Sequence, residues 1–271
     1  MILSRVVNQS LHTQISGDGE HTVVLLHGLL GLGSNLGAIA RALAGQCRVI
    51  VPDLRNHGRS FRAAGMSYPE LARDLACTLD AVGIERVALL GHSMGGKMAM
   101  QFALSYPARC TRLLVADIAP VLYQPHHQAV FAALAAVAER PDADRRETAR
   151  LLEERLQDPA LVGLLLMHRE RLPDGRWSWR LGREHIEAGY GDILAAPQPS
   201  SGHPCWAGPA LFLRGERSDY VLPGHAGPIH ALFPGARIES VPAAGHWLHA
   251  ERPELFIPLA RNFLLGDSAS V

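Results

Sequence analysis

The stretch that decides the fold is Gly91-His92-Ser93-Met94-Gly95-Gly96. It is preceded by Val87-Ala88-Leu89-Leu90 and followed by Lys97-Met98-Ala99-Met100-Gln101-Phe102. It reads G-x-S-x-G between a short apolar run and a run of helix formers. A strand that turns sharply into a helix lifts one serine onto the tip of the bend and exposes its hydroxyl. Gly91 and Gly95 stand two residues either side of Ser93, where a Cβ would crowd the turn. The helix that follows brings backbone N–H groups and its positive end to the place where a developing oxyanion needs them. A bare glycine-rich turn would not require this flanking strand and helix, so Ser93 is read as a nucleophile.

Outward from that bend the chain alternates. Thr22 to Leu26 is almost wholly apolar, as a strand covered on both faces requires, and it ends in His27-Gly28-Leu29-Leu30-Gly31. A helix is expected over about Asn35–Leu43 and a strand over Arg48–Val51, followed by the polar stretch Asp53-Leu54-Arg55-Asn56-His57-Gly58-Arg59-Ser60. Tyr68–Val82 has helical periodicity, Arg86–Leu90 feeds Ser93, and Arg112–Ala116 ends at Asp117-Ile118-Ala119-Pro120. Val6-Val7 and Leu11–Ile15 suggest an opening hairpin. This alternation predicts an α/β fold with a doubly wound, mostly parallel sheet.

From about Val121 to Gly208 the pattern breaks. Helical stretches occur at Ala129–Ala138 and Ala143–Leu156, with no convincing buried strand, and Ala195–Gly202 reads as a linker. Strand character returns at Ala210–Arg214 and Ile238–Val241, and a last helix covers about Glu254–Leu264. The expected organisation is a core of residues 1–120 and 209–271 carrying a helical cap, 121–208, as an insertion. Ligands of open α/β sheets lie beyond the carboxyl ends of the strands, so such a cap would roof the site.

Composition narrows the class. Lys plus Arg equals Asp plus Glu at 26 each, which leaves no bulk field to recruit nucleic acid or an acidic membrane. No run approaches the ~20 apolar residues of a membrane span, and the first residues lack the apolar segment of a signal peptide. The four cysteines are scattered without C-x-x-C, as expected of reduced thiols rather than a disulfide framework or a zinc site. The protein is therefore read as soluble and cytoplasmic.

A serine hydroxyl needs a base in reach and a third group to orient it. The base is expected to be His246, in Ala243-Ala244-Gly245-His246-Trp247, just after the last strand. His92 should point away from Ser93 on the bend, and His249 should start the last helix or face solvent. Two acids fit the chain order Ser, Asp, His: Asp117, ending the strand after the nucleophile strand, and Asp219, in Gly215-Glu216-Arg217-Ser218-Asp219-Tyr220. The oxyanion hole is expected to use the amides of Leu29 and Met94. The glycines at 28, 31 and 33 match neither a dinucleotide loop nor a phosphate loop. Asp53–Ser60 reads as a hydrogen-bonded loop shaping the pocket floor, and Lys97 as a solvated or ion-paired helix residue. Arg176-Trp177-Ser178-Trp179 would line an acyl pocket or bury the cap.

Asp53–Ser60, Gly91–Lys97, Ala116–Pro120 and Ala244–Glu251 together resemble the α/β-hydrolase superfamily. Within it they resemble the YbfF-type bacterial esterases and the related abhydrolase-domain-containing 11 proteins. The resemblance covers almost the whole chain. It implies hydrolysis of short to medium acyl esters and, as in some members, acyl thioesters of coenzyme A. Many superfamily members carry their acid three residues after the glycine equivalent to Gly215, where this chain has Ser218. The YbfF-type pattern often lacks that acid and keeps the Asp-Ile-Ala-Pro aspartate, which implies Asp117. The expected enzyme is a serine carboxylic-ester hydrolase acting on a small-molecule ester or thioester, without metal or organic cofactor. Ser93 at the bend argues against dehalogenase and epoxide hydrolase chemistry, which uses an aspartate there. A small-molecule receptor or binding module of the same fold, with little turnover, is the alternative of a different class.

Overall fold

The computed structural model describes residues 9–199, 202 and 204–266. Among them nine strands are formed: β1 Thr13–Ser16, β2 Thr22–Leu26, β3 Arg48–Pro52, β4 Val87–His92, β5 Cys110–Ala116, β6 Arg169–Arg171, β7 Trp177–Trp179, β8 Ala210–Gly215 and β9 Ala236–Val241. Seven of them make one sheet in the order β1-β3-β2-β4-β5-β8-β9. Only β1 runs antiparallel, paired with β3; every other pairing in this sheet is parallel. Val6 and Val7 lie outside the described residues, and the strand expected over Leu11–Ile15 is β1, an edge strand on β3.

The period of two explains why the inner strands are apolar throughout. Val24 and Leu26 of β2 enter one core and Val23 and Leu25 the other. Leu113 and Val115 against Leu114 and Ala116 divide β5 in the same way. Helices α1 (Gly37–Leu43) and α11 (Pro253–Leu265) cover one face; α2 (Tyr68–Ala81) and α3 (Met94–Ser105) cover the other. Ser67 and Glu70 start α2: the Glu70 carboxylate accepts from the Ser67 N–H at 3.2 Å and its hydroxyl at 2.6 Å. Leu71, Leu75 and Leu79 then recur at intervals of four and are fully buried. Each such leucine contributes about 1.5–3 kcal/mol relative to exposure.

Among the described residues between β5 and β8, none joins the large sheet. This segment forms α4 (Gln128–Ala138), α5 (Arg145–Glu153), α6 (Pro159–Leu166), α7 (Arg183–Ala188) and α8 (Tyr190–Leu194), together with the small β6–β7 hairpin. Sequence reading finds α4 and α5 and misses the hairpin. Its strands are three residues each, β6 being Arg-Glu-Arg and β7 Trp-Ser-Trp, and they are held by Arg169, whose guanidinium lies 5.5 Å from the Trp177 ring and 5.2 Å from that of Trp179. After β8 come α9 (Ala226–Leu232) and the single turn α10 (Leu248–Glu251).

Candidate active site

Four strand ends build the site, those of β2, β4, β5 and β9. β4 ends in a bend at Ser93, whose backbone has φ +53° and ψ −121°. That conformation is costly for a residue with a Cβ and persists only where the surroundings impose it. Close approach imposes it: a Cβ on Gly91 would lie 2.2 Å from the Gly95 carbonyl oxygen, and one on Gly95 would lie 2.4 Å from that of Leu26. The bend therefore packs directly on the end of β2. Leu30, Asp117 and Ala243 also have positive φ, so the strain clusters on the loops that meet here.

Asp117 follows β5 and is fully buried. Its Oδ1 accepts the Gly215 N–H at 2.9 Å; its Oδ2 accepts the Ser218 hydroxyl and the His246 Nδ1–H, the latter at 2.7 Å. Three donors offset the desolvation of the carboxylate. With Nδ1 donating, His246 Nε2 carries the lone pair. The Tyr220 ring stacks on the imidazole with centroids 3.8 Å apart and planes at 16°. Behind it, His92 donates from Nε2 to the His246 carbonyl at 2.8 Å. Burial, reinforced by His249 and His246, holds His92 well below the usual histidine range, so it is a neutral brace.

Ser93 and His246 line one cavity of about 580 Å³, with no direct hydrogen bond between them among the described residues. Catalytic hydrogen bonds are often long before substrate binds. The amides of Leu29 and Met94 donate to no acceptor among the described residues, Met94 because the first N–H groups of a helix have no intrahelical partner, and free amides at this place are what an oxyanion hole requires. Buried histidines hold the Leu29 loop. His27 donates from Nδ1 to the Gly28 carbonyl at 2.8 Å, and its Nε2 accepts the Leu54 N–H at 3.0 Å. Burial lowers its pKa to about 4. His57 Nε2 accepts the Leu30 N–H at 3.1 Å.

The structure thus brings together Ser93, His246, Asp117, Leu29 and Met94. It leaves Asp219 apart: no hydrogen bond joins it to His246 among the described residues, and Ser218 reaches Asp117 instead. Other expectations are corrected. Lys97 is not solvated, and no carboxylate among the described residues pairs with it. It is buried, and its ammonium donates to the carbonyls of Val121 (2.8 Å), Leu194 (2.9 Å) and Ala195 (2.7 Å), 4.6 Å from the Tyr123 ring centroid. Burial pulls its pKa down to about 7, against which the three carbonyls and the ring favour the charged form. Gln101, one turn on, exchanges two bonds with the Gln198 backbone, both at 2.8 Å. So the helix behind Ser93 fastens both ends of the segment between β5 and β8.

His249 sits in α10, before the last helix, and packs its ring 4.7 Å from that of His92. Burial lowers its pKa to about 4. The Asp53–Ser60 loop is densely hydrogen-bonded, with Asp53 accepting from Gly33 and Arg59 N–H groups at 2.9 Å each. It braces the Leu29 loop from behind and lines no part of the cavity. Trp177 and Trp179 line no part of it either; they bury their own hairpin. Sequence reading misses Tyr220 and the adjacent pair His126-His127, which lines the cavity from the inserted segment. The doubled histidine just past β5 is the one available signal.

Residues 21–253 match the family model described as alpha/beta hydrolase fold. The chain is 37% identical over 243 residues to the esterase YbfF of Escherichia coli, covering 89% of this chain and 92% of that one. It is 38% identical over 259 residues to the sn-1-specific diacylglycerol lipase ABHD11 of Mus musculus, covering 91% and 83%. A solved marine microorganism esterase superposes with a TM-score of 0.90 at 36% identity, covering 94% and 100%. The chain belongs to the α/β-hydrolase family and, within it, to the YbfF-type esterases; it is a hydrolase of the carboxylesterase type.

Proposed function

From that membership, we propose that the protein is a serine ester hydrolase working through Ser93, His246 and Asp117 on short to medium acyl esters, with acyl-CoA thioesters as a second leaving-group class. His246 Nε2 takes the Ser93 proton as Oγ attacks the acyl carbonyl. The Leu29 and Met94 amides hold the oxyanion. Asp117 keeps the Nδ1–H tautomer and stabilises the imidazolium. The imidazolium protonates the leaving oxygen or sulfur, and an acyl-Ser93 ester remains. Water deprotonated by the same histidine then releases the acid. The cycle needs no metal or organic cofactor. Residues 121–208 act as a cap, since α4 and α6 supply Val130, Leu161 and Leu164 to the cavity over Ser93.

The observation that carries the reading is the 2.7 Å bond from His246 to the buried Asp117, beside a serine on a strained bend that lines the same cavity as the histidine. Ser93→Ala tests it. Removing the nucleophile of such a triad lowers kcat by about 10⁶. Steady hydrolysis of p-nitrophenyl acetate or butyrate should vanish while circular dichroism and Tm stay put. A variant keeping a tenth of the wild-type rate refutes the assignment, and ligand binding with a single slow turnover points to a receptor.

A further inference from the structure

His246, the base of the proposed mechanism, stands on a loop that must hold one position for the imidazole to be of use. The loop leaves β9 at Pro242, turns at Ala243, whose φ is +55°, and reaches α10 at Leu248. The loop after β8 fixes its inner side. A Cβ on Gly215 would lie 2.2 Å from the Gly245 carbonyl oxygen, so the two backbones touch. The Glu216 carboxylate accepts the Ala243 N–H at 2.7 Å, and the Arg217 guanidinium donates to the Ala243 carbonyl.

Glu251 of α10 holds the other side. Its Oε2 accepts the Gly245 N–H at 2.7 Å, and its Oε1 accepts the Trp247 N–H at 3.2 Å. Gly245 and Trp247 are the two chain neighbours of His246. The bond to Trp247 alone would be a cap on the free amides that begin α10. The bond to Gly245 is not a cap: that amide lies before the helix, with the histidine between the two bonds. Glu251 is itself anchored, since its N–H donates to the Trp247 carbonyl at 2.8 Å. Gly245 leaves it room, because a Cβ there would lie 3.0 and 3.2 Å from the two carboxylate oxygens. We infer, on the hydrolase reading above, that Glu251 is a positioning residue: its carboxylate straddles His246 and fixes the backbone from which the imidazole reaches Asp117 and Ser93.

The imidazole has a partner at each end. Nδ1 donates to Asp117 at 2.7 Å, and Nε2 must meet the Ser93 hydroxyl. Both contacts depend on where the His246 backbone lies, and a misplacement of about 1 Å costs about 10² in rate. An amide in place of the carboxylate turns an NH2 donor toward one of the two N–H groups and removes the charge that strengthens both bonds. Glu251→Gln therefore frees one side of His246. Gly245→Ala keeps the charge and pushes it away.

The test uses the full chain with Glu251→Gln, Gly245→Ala and, as a control, Glu254→Gln, whose carboxylate bonds Arg252 at 2.6 Å on the exposed surface. Two readouts are taken: steady-state rates on p-nitrophenyl acetate, and the low-field proton resonance of the His246 Nδ1–H. Glu251→Gln should lower kcat by about 10- to 100-fold with KM within about threefold, and Gly245→Ala should lower it by about tenfold. The resonance should move or broaden in both, while Glu254→Gln matches wild type throughout. Wild-type kcat and resonance in the folded variants overturn the assignment. So does a loss carried by KM alone, or a loss of kcat with the resonance unmoved, since His246 is then still in place. If Glu251→Gln fails to fold, Gly245→Ala decides by the same two readouts. Absence of Ser93-dependent turnover is a different failure: it removes the hydrolase reading, while the resonance still shows whether Glu251 holds His246 on Asp117.

Discussion

Replacing Asp117 by Asn changes one atom in a carboxylate that is fully enclosed, and the three donors around it determine the effect. If the amide oxygen stays on the Gly215 N–H, as Oδ1 does at 2.9 Å, the NH2 group takes the place of Oδ2. It then points a donor at His246 Nδ1, 2.7 Å away, and at the Ser218 hydroxyl. The serine can rotate its hydrogen; the imidazole must shift its proton to Nε2, the atom that has to accept from Ser93. If the amide turns over, two donors face each other at Gly215 in an enclosed site, which costs about 1–3 kcal/mol. Either way the base is in the wrong tautomer or the loop is displaced, and the imidazolium loses its counter-charge. In the Ser-His-Asp template this substitution costs about 10⁴ in kcat, which is about 5.5 kcal/mol in the barrier. Asp219→Asn should cost about tenfold or less. Both are read from initial rates on p-nitrophenyl acetate with protein free of host esterase. A dead Asp219→Asn beside an Asp117→Asn within tenfold of wild type refutes the reasoning.

Ser218→Ala removes one charge-assisted bond to Asp117 and leaves the other two; kcat should fall to a value between those of the two Asn variants with KM little changed, measured on the same ester. Lys97→Met strips a donor from three carbonyls at the roots of the inserted segment. At about 1 kcal/mol each the loss is about 3 kcal/mol, or roughly 6–12 °C in Tm for a chain of this size, and an unchanged Tm contradicts it. His27, His57 and His92 are buried and held below their ordinary range by desolvation, His27 at about 4. The unfolded chain therefore binds more protons than the native one once the pH drops below about 6.5. Their neutral state is matched to folding above that pH, and stability should fall toward pH 4 by about 1.4 kcal/mol per pH unit for each. Urea midpoints at pH 7.5 and 5.5 measure it, and equal midpoints refute it.

Much of the fold is legible in the sequence because the inner strands are covered on both faces and must be apolar. Thr22–Leu26 matches β2 residue for residue, and Arg86–Leu90 differs from β4 (Val87–His92) only at its ends. The segment between β5 and β8 is harder. Its hairpin rests on a guanidinium lying over two tryptophan rings, and α7 and α8 are six and five residues long. Such elements are too short for periodicity to register and are defined by tertiary contacts. Lys97 is misread for a related reason. A lysine on a helix normally faces water, and only the return of the chain at Leu194 and Ala195, nearly a hundred residues later, supplies the carbonyls that bury it.

The choice between Asp117 and Asp219 is beyond the reach of spacing, and the sheet explains why both satisfy the chain order. β5 and β8 are adjacent and parallel, with Ala116 opposite Leu213. The Asp117 N–H donates to the Leu213 carbonyl at 2.8 Å, so the end of β5 and the loop after β8 converge on one point. A carboxylate rooted on either strand can reach a histidine arriving from the loop after β9. Position alone cannot say which does. The positive φ at Asp117 aims its side chain across the strand ends toward Gly215. Ser218, standing where many relatives of this fold carry the acid, fills that place with a hydroxyl that donates to Asp117. Asp219 is one residue further along and is left outside this network. On the proposed mechanism, the carboxylate has changed strands while its contact with the histidine is kept.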